Sequence, residues 1–145
     1  MLVRRSTLVA ITVLLLTVQQ SYCRGNDDNA AVQLNQKLLG MVKNILGGND
    51  ISATKSSLAP RAQLVTGTSL KDLHAVVNGE LKGYSITEGH GVKYLFENLI
   101  TSDDRTAAIV LVKTSSPAIG ERIHSIVFFR KPNGDWKIAS WHISK

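Results

Sequence analysis

Cysteine occurs once in 145 residues, at Cys23, proline three times, and aromatic side chains make up 6% of the chain. A lone cysteine excludes an intramolecular disulfide and the thiolate sites of structural zinc. Stability therefore has to come from an ordinary apolar core. The four histidines, His74, His90, His124 and His142, stand at no metal-ligand spacing. A nucleophile elbow, a phosphate loop and a dinucleotide fingerprint are also missing, and Gly89-His90-Gly91 is too short to cradle a phosphate. Neither a metal nor a cofactor is expected. The net charge of +6 comes from scattered residues, with no basic stripe interleaved with aromatics, so no nucleic-acid partner is expected.

What the chain does have begins at its N-terminus. Arg4 and Arg5 precede an apolar run from Leu8 to Val18, broken only by Thr12 and Thr17, and Ser21-Tyr22-Cys23 sets small side chains at −3 and −1 of a cleavage site. That order is a secretory signal. The run is far shorter than the ~20 residues a spanning helix needs, so no stable membrane anchor is expected after cleavage. Acylation of Cys23 is disfavoured by Tyr22, where a lipoprotein signal wants a small residue. The expected organisation is a signal peptide at 1–23 and one domain at 24–145, exported to a periplasm or along a eukaryotic secretory route.

Within the domain, Val32, Leu34, Leu38, Met41, Val42 and Ile45 form one apolar stripe at helical spacing, closed by Gly47-Gly48. Asp50 caps a second helix, Ile51 to Leu58, before Pro60. Ala62 to Val65 reads as a short strand, and Ser69-Leu70-Lys71-Asp72 as a capping box opening a third helix that closes at Asn78-Gly79. Residues 80–91 carry three glycines and no legible period. The remainder alternates. Tyr94 to Thr101 and Thr106 to Lys113 flank a polar turn, and the second run is apolar on both faces, as in a strand covered on both sides. Arg122 to Lys131 and Trp136 to Ser144 flank Asn133-Gly134, a strong hairpin signal. A two-residue turn there places Val127 and Phe129 on one face with Trp136, Ile138, Ser140 and His142. Ile126, Phe128 and His124 then share the other with Ala139, Trp141 and Ile143.

These residues carry a resemblance. Gly47-Gly48-Asn49-Asp50 followed by Leu58-Ala59-Pro60-Arg61-Ala62-Gln63-Leu64-Val65, and the ending Asn133 to Ser144, resemble the opening and closing motifs of the SnoaL-like proteins of the nuclear-transport-factor-two-like superfamily. Tyr94-Leu95-Phe96-Glu97-Asn98-Leu99 is similar to a segment of the association domain of calcium/calmodulin-dependent kinases, a branch of that superfamily. The resemblance implies an α+β cone, with N-terminal helices packed on a curved antiparallel sheet around an apolar pocket. It also implies dimerisation through the outer sheet face, here Ile126, Phe128, Ala139 and Trp141. The superfamily holds isomerases, dehydratases, cyclases, scaffolds and members without known activity, so the fold does not fix the chemistry.

The expected function is binding of a small apolar molecule by Trp136, Ile138, Ser140, Val127 and Phe129. One alternative is an isomerase, dehydratase or cyclase with His142 as base, assisted by Glu97 or Tyr84. Another is a homodimeric or partner-docking module.

Overall fold

A computed structural model describes residues 28–145; the expected signal segment, 1–23, lies outside the described residues. The chain divides into two compact units, Met1–Lys37 and Leu38–Lys145. Of the first, residues 28–37 are described and are helical. All that follows concerns the second.

Its first element is the end of helix α1 (28–47). Leu38, Val42, Ile45 and Leu46 are buried at helical spacing. Gly48, at φ 69°, closes the helix: its N–H donates to the Ile45 carbonyl at 3.1 Å and that of Asn49 to Asn44 at 3.3 Å. That pair is the Schellman arrangement, which a glycine in left-handed backbone permits. Asp50 then caps α2 (Ile51–Ser57), accepting from the Ala53 N–H at 2.9 Å.

Strand β1 (Leu58–Thr66) follows at once. It is longer than the Ala62–Val65 expected, because Pro60 falls in an irregular stretch between Leu58 and Gln63 where the strand changes register. Ser69–Asp72 is not the start of a helix but strand β2, pairing antiparallel with β1 from Thr66↔Ser69 to Gln63↔Asp72. Gly67, at φ 56°, makes the tight turn between them. The cap of the short helix α3 (Leu73–Val77) is Asp72, which accepts from the His74 N–H at 2.9 Å.

Four strands complete the unit: β3 (Lys93–Thr101), β4 (Ala107–Ser116), β5 (Gly120–Arg130) and β6 (Trp136–Ser144). They form an antiparallel meander, and the six-stranded order is β2-β1-β6-β5-β4-β3. The sheet is mixed rather than wholly antiparallel, since β1 runs parallel to β6. Helices pack on one face, where Leu64, Val110, Val112, Ile126, Phe128, Ile138 and Trp141 are buried.

The β5–β6 hairpin departs from the expected register in an instructive way. Gly134 donates to the Lys131 carbonyl at 2.9 Å, and Lys131 donates to Asp135 at 2.7 Å. Pro132 and Asn133 are thus the central residues of the turn, with Gly134 (φ 90°) as a third, left-handed residue. This shifts the first pairs by one, to Arg130↔Trp136 and Phe128↔Ile138. An extra residue at Ala139 then restores the expected pairing at Val127↔Ser140 and Ile126↔Trp141.

Two expectations fall with this register. Trp136 and Ile138 share the buried face with Phe128 and Ile126, opposite Val127 and Phe129, so the five residues expected to bind a ligand do not form one surface. Ile126, Phe128 and Trp141, expected on an outer dimer face, are 0% exposed in the core. Strand β4 is also covered on one side only: Val110 and Val112 are buried while Ile109 is 38% exposed.

Candidate functional site

A cavity of about 500 Å³ opens where the C-terminal ends of β1 and β6 meet the start of β5. Leu64 and Ile143 form its apolar floor, the first fully buried and the second nearly so. The 80–91 segment supplies a wall through Gly83, Tyr84 and Ser85. Glycines let this segment turn tightly: Gly83 sits at φ 84° and Gly89 at φ 80°. Arg122, His142 and Lys145 also line it. The volume lies within the roughly 300–1,000 Å³ common to small-molecule sites.

Arg122 is the unusual member. Its Nε is buried and has no hydrogen-bond partner among the described residues. Strand alternation places its side chain on the same face as buried His124, two residues on.

His124 belongs to a buried polar cluster. The Trp141 indole N–H donates to His124 Nδ1 at 3.0 Å. His124 Nε2 lies 2.7 Å from Glu88 Oε1, and the Thr114 hydroxyl donates to the same oxygen at 2.9 Å. The His124 and Glu88 side chains are 0% exposed. An indole N–H can only donate, so Nδ1 is an acceptor and the imidazole carries its proton on Nε2, pointing at Glu88. Burial holds the His124 pKa below its usual value; Arg122 adds to this and Glu88 opposes it. Glu88 Oε2 is buried without a partner among the described residues. The cluster's side chains do not line the cavity.

The three catalytic candidates fall into two places. Tyr84 and His142 both border the cavity, with Tyr84 half-buried under the Lys71 ammonium, 5.3 Å from its ring centre. His142 is exposed, alternating away from buried Trp141 and Ile143. Glu97 is elsewhere, on edge strand β3, paired with Lys43 at 2.6 Å. Beside that pair stands Tyr94, whose hydroxyl pKa is raised by burial and by the Glu88 and Glu97 charges. A site joining His142 to Glu97 is therefore not formed. Arg122, Glu88, His124 and Thr114 are the polar residues that sequence patterning missed. Glu88 sits in the aperiodic glycine-rich segment and gave no signal. Arg122 and His124 had one, since both lie in a run with Ile126 and Phe128 at steps of two.

No family model and no curated protein matches the sequence. Solved structures do match. The chain has the NTF2-like fold, and the likeness reaches as far as fold. One match is a provisionally assigned ketosteroid isomerase from Parabacteroides distasonis ATCC 8503, at TM-score 0.61 and 13% identity, covering 76% of this chain and 86% of that one. A second protein with the same provisional assignment, from Shewanella frigidimarina NCIMB 400, matches at TM-score 0.57 and 16% identity over 74% and 92% of the two chains. An NTF2-like protein of unknown function from Pseudomonas putida KT2440 matches at 0.58 and 12%, over 80% and 87%.

Proposed function

We propose that this domain binds a small, largely apolar molecule in the cavity at the ends of β1, β5 and β6. The observation that carries the reading is the cavity itself: an apolar floor of Leu64 and Ile143 and an aromatic wall at Tyr84, with polar side chains such as Arg122 and His142 in the rest of the lining. The export expected from segment 1–23 belongs to the reading, making the ligand one met outside the cytoplasm. Native mass spectrometry of the purified protein tests it, together with thermal shifts against a panel of apolar alcohols. A bound mass, or saturable stabilisation by an alcohol that Leu64→Trp abolishes, is expected. Absence of both, with the fold intact, contradicts the reading. N-terminal sequencing of secreted material, beginning at Arg24, tests the export.

An isomerase or cyclase reading has less support, because the cavity lining contains Tyr84 and His142 but no carboxylate side chain.

A second reading rests on the outer sheet face. Ile100 pairs with Ile109, and Ile109 with Val127; Ile100 and Ile109 are 52% and 38% exposed. An apolar row of this kind on a single chain supports self-association, with a surface different from the one the hairpin pattern implied. Light scattering tests it. A dimer that Ile109→Lys converts to monomer is expected, and a strict monomer overturns it.

A further inference from the structure

We infer that the ligand of this cavity carries a carboxylate, held by the Arg122 guanidinium; the inference rests on the cavity being a ligand site. A guanidinium keeps its charge at any physiological pH, so it cannot escape burial by losing a proton as a lysine can. An unpaired N–H of a charged group, cut off from water, is a costly arrangement that a bound anion relieves. Arg122 presents such an N–H at Nε, and its side chain makes no hydrogen bond or ion pair with any described residue.

Glu121 and Asp72 are engaged elsewhere, and Glu88 is engaged through one of its two oxygens. Glu121, its neighbour in sequence, pairs with Lys113 at 2.8 Å. Asp72 caps α3, and Glu88 Oε1 accepts from Thr114 and His124. Of the other charged side chains near the cavity, Lys71 lies over the Tyr84 ring that forms its wall. The local field therefore favours a negative ligand. One planar guanidinium above an apolar floor matches a planar carboxylate on an apolar body, which it can take in two parallel hydrogen bonds. A more highly charged phosphate would leave charge facing Leu64 and Ile143.

One internal rival exists. Glu88 Oε2 is the other buried side-chain polar atom without a partner among the described residues, and Glu88 bonds His124, which lies two residues from Arg122 on the same strand face. If Arg122 turns onto Glu88 in solution, the guanidinium is no longer available to a ligand.

The experiment is calorimetric titration of the purified protein with straight-chain carboxylates from hexanoate to dodecanoate, each beside its neutral alcohol. The wild type is expected to prefer the acid by about ten- to a hundredfold, the range of one charge-assisted hydrogen-bond pair, and to lose that preference in salt. Arg122→Met keeps the apolar stem; it should bring acid binding down to the alcohol's level and leave alcohol binding in place. Arg122→Lys keeps the charge without the fork and should fall between the two, which covers the case of a misfolded Met variant. Equal binding of acid and alcohol by the wild type overturns the carboxylate inference and leaves the cavity reading standing, as does a preference that survives Arg122→Met. If neither class binds, the cavity reading fails and the inference with it.

Discussion

His124 cannot take a second proton without breaking its contact with Trp141, because two N–H groups would then face each other. This gives the residue a calculable effect on stability. In the unfolded chain a histidine titrates near about 6.5; in the fold, burial pushes His124 lower. Below about 6.5 the unfolded state binds more protons than the folded one, so stability is fully present above that pH and is lost as pH falls through it toward the folded value. Urea unfolding at about pH 7.5 and about pH 5 should show wild type losing more stability than His124→Gln; parallel losses contradict this. Trp141→Phe retains most of the ring volume but leaves His124 Nδ1 a buried acceptor without a donor. It should cost about 1–3 kcal/mol with an unchanged denaturant slope.

At the scale of the element, two glycine caps separate conformational strain from crowding. Gly48 ends α1 at φ 69°, and a Cβ there would lie 2.7 Å from Thr87 Cγ2. Gly79 ends α3 at φ 76°, with nothing within 4 Å of the same position. Gly79→Ala should therefore cost only the left-handed backbone term, about 1–2 kcal/mol. Gly48→Ala should cost more, because Thr87 must also move. Equal losses in chemical denaturation contradict the crowding argument.

The β5–β6 hairpin shows what the sequence can and cannot carry at this scale. Asn133-Gly134 marks the turn, but Pro132 is the residue that sets its type: its fixed φ suits the first central position of an ordinary turn and leaves Gly134 as the third loop residue. The offset that results is cancelled at Ala139, where the bulge leaves no mark in the pattern, since the residues on both sides still alternate. The helix ends at Gly48 and Asp50 were legible because each depends on one side chain or one glycine. Strand β2 was not, because Ser69-Leu70-Lys71-Asp72 suits a helix start as well as an edge strand, and tertiary pairing with β1 decides it. The same limit hid the site. Tyr84 and His142 were legible as candidates, whereas the choice of inner face depends on a sheet apolar on both sides and on an 80–91 segment without period.

The residues expected to bind a ligand, Trp136 and Ile138 among them, are core, and Val127 and Phe129 belong to the outer face. The hollow lies instead at the strand ends, where Leu64, Tyr84, Arg122 and Ile143 meet. An NTF2-like fold is compatible with many functions, so the cavity and not the fold has to support the reading. The outer face leaves Ile100 and Ile109 exposed.

Nitrogen-15 NMR of the protein during titration with decanoate tests that account most directly, since an arginine Nε–H can be followed as its own resonance. Saturable shifts at the Arg122 Nε–H, with companion shifts in the amides of Leu64, Tyr84 and Ile143, are the result expected. An Arg122 resonance that stays in place, or shifts confined to Ile100, Ile109 and Val127 on the other side of the sheet, would contradict it.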